Sequence, residues 1–336
     1  MPGATVQESV NVAMPEDNPL HSTATPFPFV PRRGYQHNVF QPFSGETPMK
    51  KLFVSFFALA LSLLLAGTCG AQQTQNTLRK IQETKSIKLG YLAESLPFSF
   101  VDDKKKPAGY SVELCQKVAS GIEQQLGLQS LEVQWVPITL VNRFEMVTNG
   151  TIDLECGIST ITVSRQKIVD FSLMTWLDGG KFIVKSGQPH GGLGDLAGKR
   201  IAVIVGTTTE SALRDALKRD FVNAEIVLVK EHLQGLNAVD QGKADAYAAD
   251  QTVLIGLTLA VKDQLQLTLS DQNFSYEPYG LTLRRNDADF KQAVNQVLAR
   301  LYRTGQIVAI YDRWFGKLGK PTQLLAAMFA INGIPE

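Results

Sequence analysis

From residue 86 onward, short β-branched segments alternate with amphipathic helical segments, and this alternation limits the possible folds more than any other feature. Strands are predicted over Ser86–Tyr91, Leu131–Pro137 and Thr151–Gly157, and helices over Tyr110–Leu126 and Leu140–Asn149. Strands that alternate with helices pair in parallel within a sheet that is covered on both faces. The sequence therefore predicts an α/β fold.

The same alternation begins again after Gly187. Four further strands are predicted, over Arg200–Val205, Glu225–Val229, Ala244–Ala249 and Tyr279–Leu283. Further helices are predicted after Gly206–Glu210 to about Lys218, and over His232–Gln241, Gln251–Leu259, Ala288–Arg303 and Gln306–Phe315. Two α/β units joined by extended segments indicate two lobes with a cleft between them.

The first 71 residues have the pattern of an export signal rather than of a folded domain. Residues 1–48 hold eight of the fifteen prolines and lack a periodic apolar pattern, so they are predicted to be disordered or an artefact of the start site. Residues 49–71 begin with Met-Lys-Lys and continue through a fifteen-residue apolar stretch to a small-residue exit. This pattern predicts a signal peptide that is cleaved after Ala71. An anchor helix and lipidation at Cys69 are the alternatives.

Composition and motif content exclude several classes of function. The net charge of +1, from 33 basic and 32 acidic residues, provides no nucleic-acid surface. The four histidines are scattered, and there is no Cys/His cluster with ligand spacing, no P-loop and no G-x-G-x-x-G, so neither a metal nor a cofactor is predicted. Cys115 and Cys156 either pair in the exported protein or remain two buried thiols.

Two loops at predicted strand ends carry groups that suit an anion. Gly157–Ser172 (GISTITVSRQKIVDFS) brings closely spaced hydroxyls and Arg165, and Gly206–Glu210 has the T-x-x-E spacing of a helix start. Ligands of open α/β sheets bind at the carboxyl ends of strands, and helix N-termini attract anions. Taken alone, the first loop is explained equally well as an ordinary solvated loop, and Arg165 as a surface charge. Together, the two loops indicate a clamp on one carboxylate.

Asp250 is the third candidate, because it follows the predicted strand Ala244–Ala249. Its side chain either caps the next helix or faces an ammonium group of a ligand. Recognition of a carboxylate and an ammonium group together describes a free α-amino acid. An amino acid is therefore the predicted ligand.

Seven motifs occur in order along the chain. They are LPFSF (96–100), GYSVEL (109–114), ISTITVSRQKIVDFS (158–172), VGTTTE (205–210), KADAYAAD (243–250), YGLTLRR (279–285) and GQIVAIYDRWFG (305–316). In this order they resemble the family 3 extracellular solute-binding proteins, the periplasmic amino-acid receptors of ABC importers. The likeness runs from about Leu78 to Gly319, and PITLVNR (137–143) and DLECG (153–157) resemble the glutamate/aspartate-type subgroup.

The resemblance implies a two-lobe periplasmic-binding-protein fold of type II. Each lobe is then a mostly parallel sheet flanked by helices, and two strands form the hinge. The expected bounds are 77–182 with 282–320 for lobe 1, 186–278 for lobe 2 and 321–336 for a C-terminal tail, with the hinge at Lys181–Lys185 and Tyr279–Leu283.

The resemblance also assigns roles to the site residues. In the family, the positions of Thr160 and Arg165 bind the α-carboxylate of the ligand, and the Thr207/Thr208 turn completes the clamp from the other lobe. We call these four residues the carboxylate clamp. Asp250 is expected to bind the α-ammonium. The implied function is to deliver an L-amino acid, polar or acidic, to the membrane permease subunits of an ABC importer, as a monomer in the periplasm.

The pocket for the ligand side chain departs from the acidic type. Acidic amino-acid binders often have Arg where this chain has Leu92, and Ser where it has Leu140 and Ile158. Arg143 is retained and is expected to face the ligand side chain, and Trp176 is expected to border the cleft. The pocket is therefore expected to be more apolar than that of a typical glutamate receptor.

Two other functions occur on this fold, and fold alone does not decide among them. A periplasmic dehydratase needs a general acid in the cleft, for which Glu155 and Glu94 are the candidates, neither with an obvious proton-transfer partner. A ligand-sensing module of a membrane kinase is expected to continue into a membrane span, which this sequence lacks after the second lobe. We therefore expect a binding protein and not an enzyme.

Overall fold

The computed structural model of the protein describes residues 76–261 and 265–335. The predicted extension 1–48 and the predicted signal peptide 49–71 lie outside the described residues. Within them, two five-stranded sheets and one three-stranded sheet are accompanied by helices. This is the α/β fold that the sequence predicts.

The helices follow the amphipathic patterns of the sequence. In chain order, those of the described residues are α1 (Thr77–Thr84), α2 (Tyr110–Gln125), α3 (Arg143–Thr148), α4 (Thr208–Arg219), α5 (His232–Asp240), α6 (Gln251–Val261), α7 (Ala288–Arg303), α8 (Gln306–Phe315) and α9 (Gln323–Asn332). Both α7 and α8 have the predicted bounds. Gly305, with a φ of 73°, separates these two helices, because glycine adopts this left-handed conformation without steric cost.

The strands are more numerous than the sequence patterns indicate. In chain order they are β1 (Ser86–Leu92), β2 (Glu94–Ser95), β3 (Ser99–Val101), β4 (Pro107–Ala108), β5 (Glu132–Ile138), β6 (Leu154–Glu155), β7 (Val169–Asp178), β8 (Gly180–Lys185), β9 (Arg200–Ile204), β10 (Glu225–Val229), β11 (Ala246–Asp250), β12 (Leu267–Leu269) and β13 (Glu277–Arg284). The long strand β7 was predicted only as an extended connection, whereas β8 contains Lys181–Lys185, which was expected as a hinge strand. Strands β2, β3 and β4 form the small antiparallel sheet.

The first sheet has the strand order β5-β1-β6-β13-β7. Strand β1 pairs in parallel with β5 and β6, whereas β13 is antiparallel to β6 and β7. The predicted strand Thr151–Gly157 is reduced to the two residues of β6. Its first part instead closes helix α3, because the amide of Ile152 donates a hydrogen bond to the carbonyl of Met146.

The second sheet has the strand order β10-β9-β11-β8-β12. Strand β9 is parallel to β10 and β11, whereas β8 is antiparallel to β11 and β12. The expectation of mostly parallel sheets therefore needs a correction, since half of the pairings in each five-stranded sheet are antiparallel. The antiparallel strands β8 and β13 are the first strands after the chain passes from one sheet to the other.

The chain passes between the two five-stranded sheets twice. Strand β7 of the first sheet ends at Asp178, and β8 of the second sheet begins at Gly180. The return runs from β12 through residues 270–276 to the start of β13. Lys181–Lys185 and Tyr279–Leu283 therefore each lie within one sheet, and the crossings come a few residues earlier than expected. The expected lobe bounds stay a prediction.

An aromatic cluster fills the core beside the first sheet. Trp176 stacks on Phe315 with ring centroids 4.2 Å apart and on Tyr311 with centroids 5.9 Å apart, and it also contacts Phe98 and Tyr110 edge-on. Aromatic rings in such contacts add to the stability gained from burial alone. Trp176 is therefore a core residue, which corrects its expected place at the border of the cleft.

A disulfide ties helix α2 to the first sheet. It joins Cys115 of α2 to Cys156, the residue after β6, with their Cα atoms 6.0 Å apart. The sequence left pairing and two free thiols as alternatives, and in the structure the two cysteines are paired.

The expected tail over 321–336 contains a packed helix. Thr322 caps α9, because its hydroxyl oxygen accepts a hydrogen bond from the amide of Leu325 at 3.2 Å. On the buried face, Phe329 stacks on Tyr302 of α7 with ring centroids 5.5 Å apart. Helix α9 is therefore part of the folded body.

Candidate functional site

The segments that the sequence selected for ligand binding meet in the structure. Ile158 and Thr160 follow β6, Thr207–Thr209 lie at the start of α4, and Asp250 ends β11. Together with Arg143 they line a cavity of about 20 Å³. This volume is enough for about one water molecule. An amino acid can occupy the site only if these segments move apart.

Thr207 begins helix α4, as its T-x-x-E spacing predicts. Its hydroxyl oxygen accepts a hydrogen bond from the amide of Glu210 at 3.1 Å, and the carboxylate of Glu210 accepts one from the amide of Gly206 at 2.8 Å. The hydroxyl proton of Thr207 is donated to the carbonyl of Ile204 at 2.7 Å. Of the two adjacent threonines, Thr208 is therefore the one whose hydroxyl reaches across the cavity.

The hydroxyls of Thr160 and Thr208 meet at a buried carboxylate that the sequence did not predict. Their Oγ1 atoms lie 3.1 Å apart, and both donate to the Oε2 atom of Glu277 at 2.7 Å. The other carboxylate oxygen, Oε1, accepts a hydrogen bond from Ser275 at 2.7 Å. Thr160 follows a strand of the first sheet and Thr208 a strand of the second. Glu277 therefore joins the two sides of the cavity.

Two arginine side chains lie against the ring of Phe144. The guanidinium carbon of Arg165 is 5.0 Å from the ring centroid and that of Arg143 is 4.4 Å from it. Arg165 donates from Nη1 to the carbonyl of Thr160 at 2.9 Å. Burial lowers the pKa of Arg165, and the nearby charge of Glu277 opposes this. Arg165 is buried, which rules out the alternative interpretation of this residue as a surface charge.

Arg143 is the most deeply buried cation of the site. Its Nε donates to the hydroxyl of Ser159 at 2.8 Å. Its Nη1 is also buried but has no hydrogen-bond partner among the described residues. Burial, followed by the charge of Arg165, lowers the pKa of Arg143 to about 10, so the side chain stays charged at neutral pH. A buried donor without an acceptor destabilises the protein by about 1–3 kcal/mol. An acceptor that entered the cavity would remove this cost.

Asp250 is held by side chains rather than used as a helix cap. One carboxylate oxygen accepts a hydrogen bond from Thr209 at 2.8 Å and the other accepts one from the hydroxyl of Tyr279. The amide of Thr252, at the start of α6, instead donates to Asp178 at 3.2 Å. Burial raises the pKa of Asp250 and of Asp178. A cation that entered beside these carboxylates would stabilise their ionised forms.

His232 and Tyr247 also line the cavity, and the sequence reasoning missed both. Nδ1 of His232 lies 2.7 Å from the hydroxyl of Tyr247, while its buried Nε2 has no partner among the described residues. Burial lowers the pKa of His232 to about 4, so the imidazole is neutral at pH 7. His232 begins a helix just after β10. The strand-end argument that selected Thr207 would have selected His232 as well.

Leu92 lies beside a neighbouring cavity and not beside the carboxylate clamp. This second cavity has a volume of about 80 Å³ and is also lined by Glu94 and Ser95. Leu140 and His232 line both cavities. Leu92 is therefore separated from the clamp by this shared wall.

A comparison with known protein families identifies the family of this chain. The model of the bacterial extracellular solute-binding proteins, family 3, matches residues 87–317, which is more than half of the chain. The chain belongs to this family. Its membership is consistent with the order of the seven motifs and with the α/β architecture.

Named relatives of this solute-binding protein include receptors for acidic amino acids. It is 33% identical over 256 residues to the L-glutamate/L-aspartate-binding protein of Pseudomonas aeruginosa, covering 76% of this chain and 85% of that one. It is 31% identical over 268 residues to the glutamate/aspartate import solute-binding protein of Escherichia coli, covering 80% and 89% of the two chains.

Among solved structures, this solute-binding protein is similar to an ancestral amino-acid-binding protein described as a precursor of cyclohexadienyl dehydratase. The identity is 27%, the TM-score is 0.61, and the match covers 71% of this chain and 99% of that one. In the described part of the chain, no helix is long and apolar enough to cross a membrane. No group of His, Cys, Asp or Glu side chains in that part is placed to hold a metal ion.

Proposed function

We propose that this chain is the substrate-binding component of an ABC importer and captures an acidic L-amino acid for delivery to the membrane permease. The named relatives support an amino-acid ligand of this class. The family is extracellular, which supports action in the periplasm after removal of the signal peptide. We also propose that the protein acts as a monomer, which light scattering of the purified protein tests directly.

The α-carboxylate of the ligand is assigned to Arg165, Thr160 and Thr208. Arg165 supplies charge and parallel N–H donors, and the two hydroxyls supply further donors from opposite sides of the cavity. The α-ammonium is assigned to Asp250, whose carboxylate is buried and accepts hydrogen bonds from the hydroxyls of Thr209 and Tyr279. The main-chain groups of the ligand are thereby oriented before its side chain is read.

The unpartnered Nη1 of Arg143 is the observation that favours an acidic side chain. This cationic nitrogen is buried and belongs to a residue that lines the cavity. A carboxylate is its best partner, because hydrogen bonds between two charged groups are stronger than those between neutral groups. Leu140 and Ile158 make the remaining wall apolar, so the side-chain carboxylate is expected to depend mainly on Arg143, with Nε2 of His232 as a second polar contact.

The dehydratase alternative is supported by one structural relative but by little in the site. That relative is named as a precursor of such an enzyme. Of the two candidate acids, Glu155 is fully buried in β6 and accepts a hydrogen bond from Thr282 at 2.8 Å. Glu94 lines the second cavity and accepts a hydrogen bond from the amide of Leu233 at 3.2 Å. We therefore propose a binding protein and not an enzyme.

Calorimetric titration with matched ligands tests the proposal. L-Glutamate and L-glutamine differ only in the charge and hydrogen-bonding pattern of the side-chain end, so their Kd ratio reports on Arg143. We expect the wild-type protein to prefer L-glutamate by at least about tenfold, which corresponds to about 1.4 kcal/mol. Arg143→Met should abolish this preference. Arg285→Met, which removes an exposed arginine that donates to the carbonyl of Lys167, should leave the ratio unchanged.

Two outcomes contradict different parts of the proposal. Equal affinity of the wild-type protein for L-glutamate and L-glutamine would show that Arg143 does not select the side chain. Failure of every common L-amino acid to bind would contradict amino-acid capture itself.

A further inference from the structure

Glu277 occupies the donors that the proposed function assigns to the ligand. Its Oε2 atom accepts hydrogen bonds from Thr160 and Thr208, each at 2.7 Å. A threonine hydroxyl has one proton to donate. While both protons point to Glu277, neither hydroxyl can donate to the carboxylate of an incoming ligand. The protein thus already carries a carboxylate in the carboxylate clamp.

The charge of Glu277 strengthens this conflict. The side chain is only 1% exposed, so solvent hardly screens it. Its charge acts on Arg165, where it opposes the effect of burial on the pKa of that side chain. A ligand carboxylate beside Arg165 and the two hydroxyls would share a small, dry space with a second anion. Two carboxylates in such a space repel each other strongly.

We propose that Glu277 is an internal competitor for the carboxylate clamp, which the ligand must displace before the site can close on it. This inference rests on the proposed function for the identity of the ligand. The resulting affinity is the affinity of the free clamp multiplied by the fraction of molecules in which Glu277 has left it. A ligand must therefore carry a carboxylate that competes with Glu277 for the donors of the clamp. An amine without a carboxylate cannot displace Glu277.

The position of Glu277 links this displacement to movement of the two sides. Thr160 follows β6 of the first sheet, and Thr208 starts α4 after β9 of the second sheet. Glu277 itself begins β13, directly after the segment through which the chain crosses between the sheets, and Ser275 of that segment holds its other oxygen. One carboxylate thus fastens both walls of the cavity to the crossing segment. Its departure would free the walls to separate.

A series of substitutions at Glu277 tests the inference with L-glutamate as the probe. Glu277→Ala removes the competitor and should lower the Kd for L-glutamate by about tenfold or more, as expected if the clamp is free in at most one molecule in ten. Glu277→Gln keeps an oxygen that can accept both hydroxyl protons but removes the charge, so its Kd should lie between those of the wild-type protein and Glu277→Ala. Glu113→Gln neutralises another buried carboxylate, one that accepts from Trp314 away from the clamp, and should leave the Kd unchanged.

Small-angle scattering without added amino acid gives a second, independent readout. Glu277→Ala should increase the radius of gyration relative to the wild-type protein, because the bond that joins the two walls is gone. An unchanged or higher Kd in Glu277→Ala, with a melting temperature near that of the wild-type protein, would overturn the inference. If Glu277→Ala does not fold, the Kd of Glu277→Gln decides, since a value equal to or above the wild-type Kd overturns the inference in the same way.

The two readouts also separate this inference from the proposed function. If L-glutamate binds neither the wild-type protein nor any variant, the proposed ligand class is wrong. The scattering result then decides the role of Glu277 alone. A larger radius of gyration in Glu277→Ala supports the fastening role, and an unchanged radius overturns it.

Discussion

Arg165→Lys tests the carboxylate clamp most directly, because it keeps the charge and removes the geometry. In the structure, Arg165 donates from Nη1 to the carbonyl of Thr160 at 2.9 Å, with its guanidinium carbon 5.0 Å from the centroid of Phe144. A lysine ammonium is a compact point charge that cannot make the same parallel pair of hydrogen bonds with a carboxylate. Losing part of a desolvated charged pair costs about 2–5 kcal/mol. The Kd for L-glutamate should therefore rise roughly thirty- to several-thousandfold.

The structure also predicts a moderate effect of Arg165→Lys on stability. A residue that lined a wet cleft would affect folding little. Arg165 is instead buried, only 9% exposed, and it fastens the carbonyl of Thr160. Hydrogen bonds to charged groups contribute about 1.5–3 kcal/mol, and lysine can restore part of this. We expect a loss of about 1–2 kcal/mol, or a few degrees in Tm for a domain of this size.

Calorimetric titration with L-glutamate and thermal melts without it measure the two effects separately. Arg285→Lys is the matched control, because Arg285 also donates from Nη1 to a main-chain carbonyl, that of Lys167 at 2.9 Å, but is exposed. It should change neither the Kd nor the Tm measurably. An unchanged Kd in Arg165→Lys would refute the role of Arg165 in the clamp. Loss of the folded state would make Arg165 chiefly a structural residue.

Three further predictions concern the surroundings of the clamp. Burial lowers the pKa of His232 from 6.5 to about 4, so between these pH values the unfolded chain binds a proton that the folded chain does not. His232 alone should lower the free energy of unfolding by about 3 kcal/mol as the pH falls through this window, whereas the buried carboxylates Asp178 and Asp250 raise it. Urea titrations of the wild-type protein and His232→Phe isolate the His232 contribution, because the carboxylates act equally in both: the stability difference between the two proteins should change by about 3 kcal/mol across the window, and a constant difference would contradict this. A Cβ atom on Gly256 of α6 would lie 2.8 Å from the carbonyl oxygen of Leu96, so Gly256→Ala should lower the free energy of unfolding by about 1–3 kcal/mol in denaturant titrations, and an unchanged value would contradict this. Reduction of the Cys115–Cys156 disulfide, whose cysteines are 41 residues apart, should lower the free energy of unfolding by about 4 kcal/mol in denaturant titrations, and a loss below about 1 kcal/mol would show that the unfolded chain is hardly constrained by it.

Local sequence signals predicted the helix bounds and the helix cap that depend only on neighbouring residues. The bounds of α7 and α8 were predicted to the residue, because apolar spacing and the break at Gly305 are properties of neighbouring residues. The cap of α4 by Thr207 was predicted for the same reason. The meeting of the segments after β6 and β9 at one cavity also followed from a simple rule about strand ends.

The crossings between the sheets could not be located in this way, since they depend on pairing between distant segments. Strands β7 and β8 are separated by Gly179 alone, and their sheet partners come from residues far along the chain. A Cβ atom on Gly179 would lie 2.8 Å from the carbonyl oxygen of Ser275, and one on Gly180 would lie 2.6 Å from its hydroxyl. The two glycines therefore mark where the crossing segments touch. The sequence pattern does not show that Ser275 packs against these two glycines.

The sequence analysis missed Glu277 because strand β13, which it begins, runs antiparallel to β6. The rule that ligands bind at the carboxyl ends of strands holds for parallel strands, and it selected the residues after β6 and β9. Strand β13 is antiparallel to β6, so its amino end, and not its carboxyl end, reaches the edge where Thr160 lies. The bridge between Thr160 and Tyr279 confirms this register. Strand β7 runs antiparallel to β13, which brings its carboxyl end, with Asp178, to the same edge. In a mixed sheet, both the first residues of antiparallel strands and the last residues of parallel strands must therefore be considered as site residues. Here the antiparallel strand β13 supplies Glu277, the carboxylate that competes with the ligand.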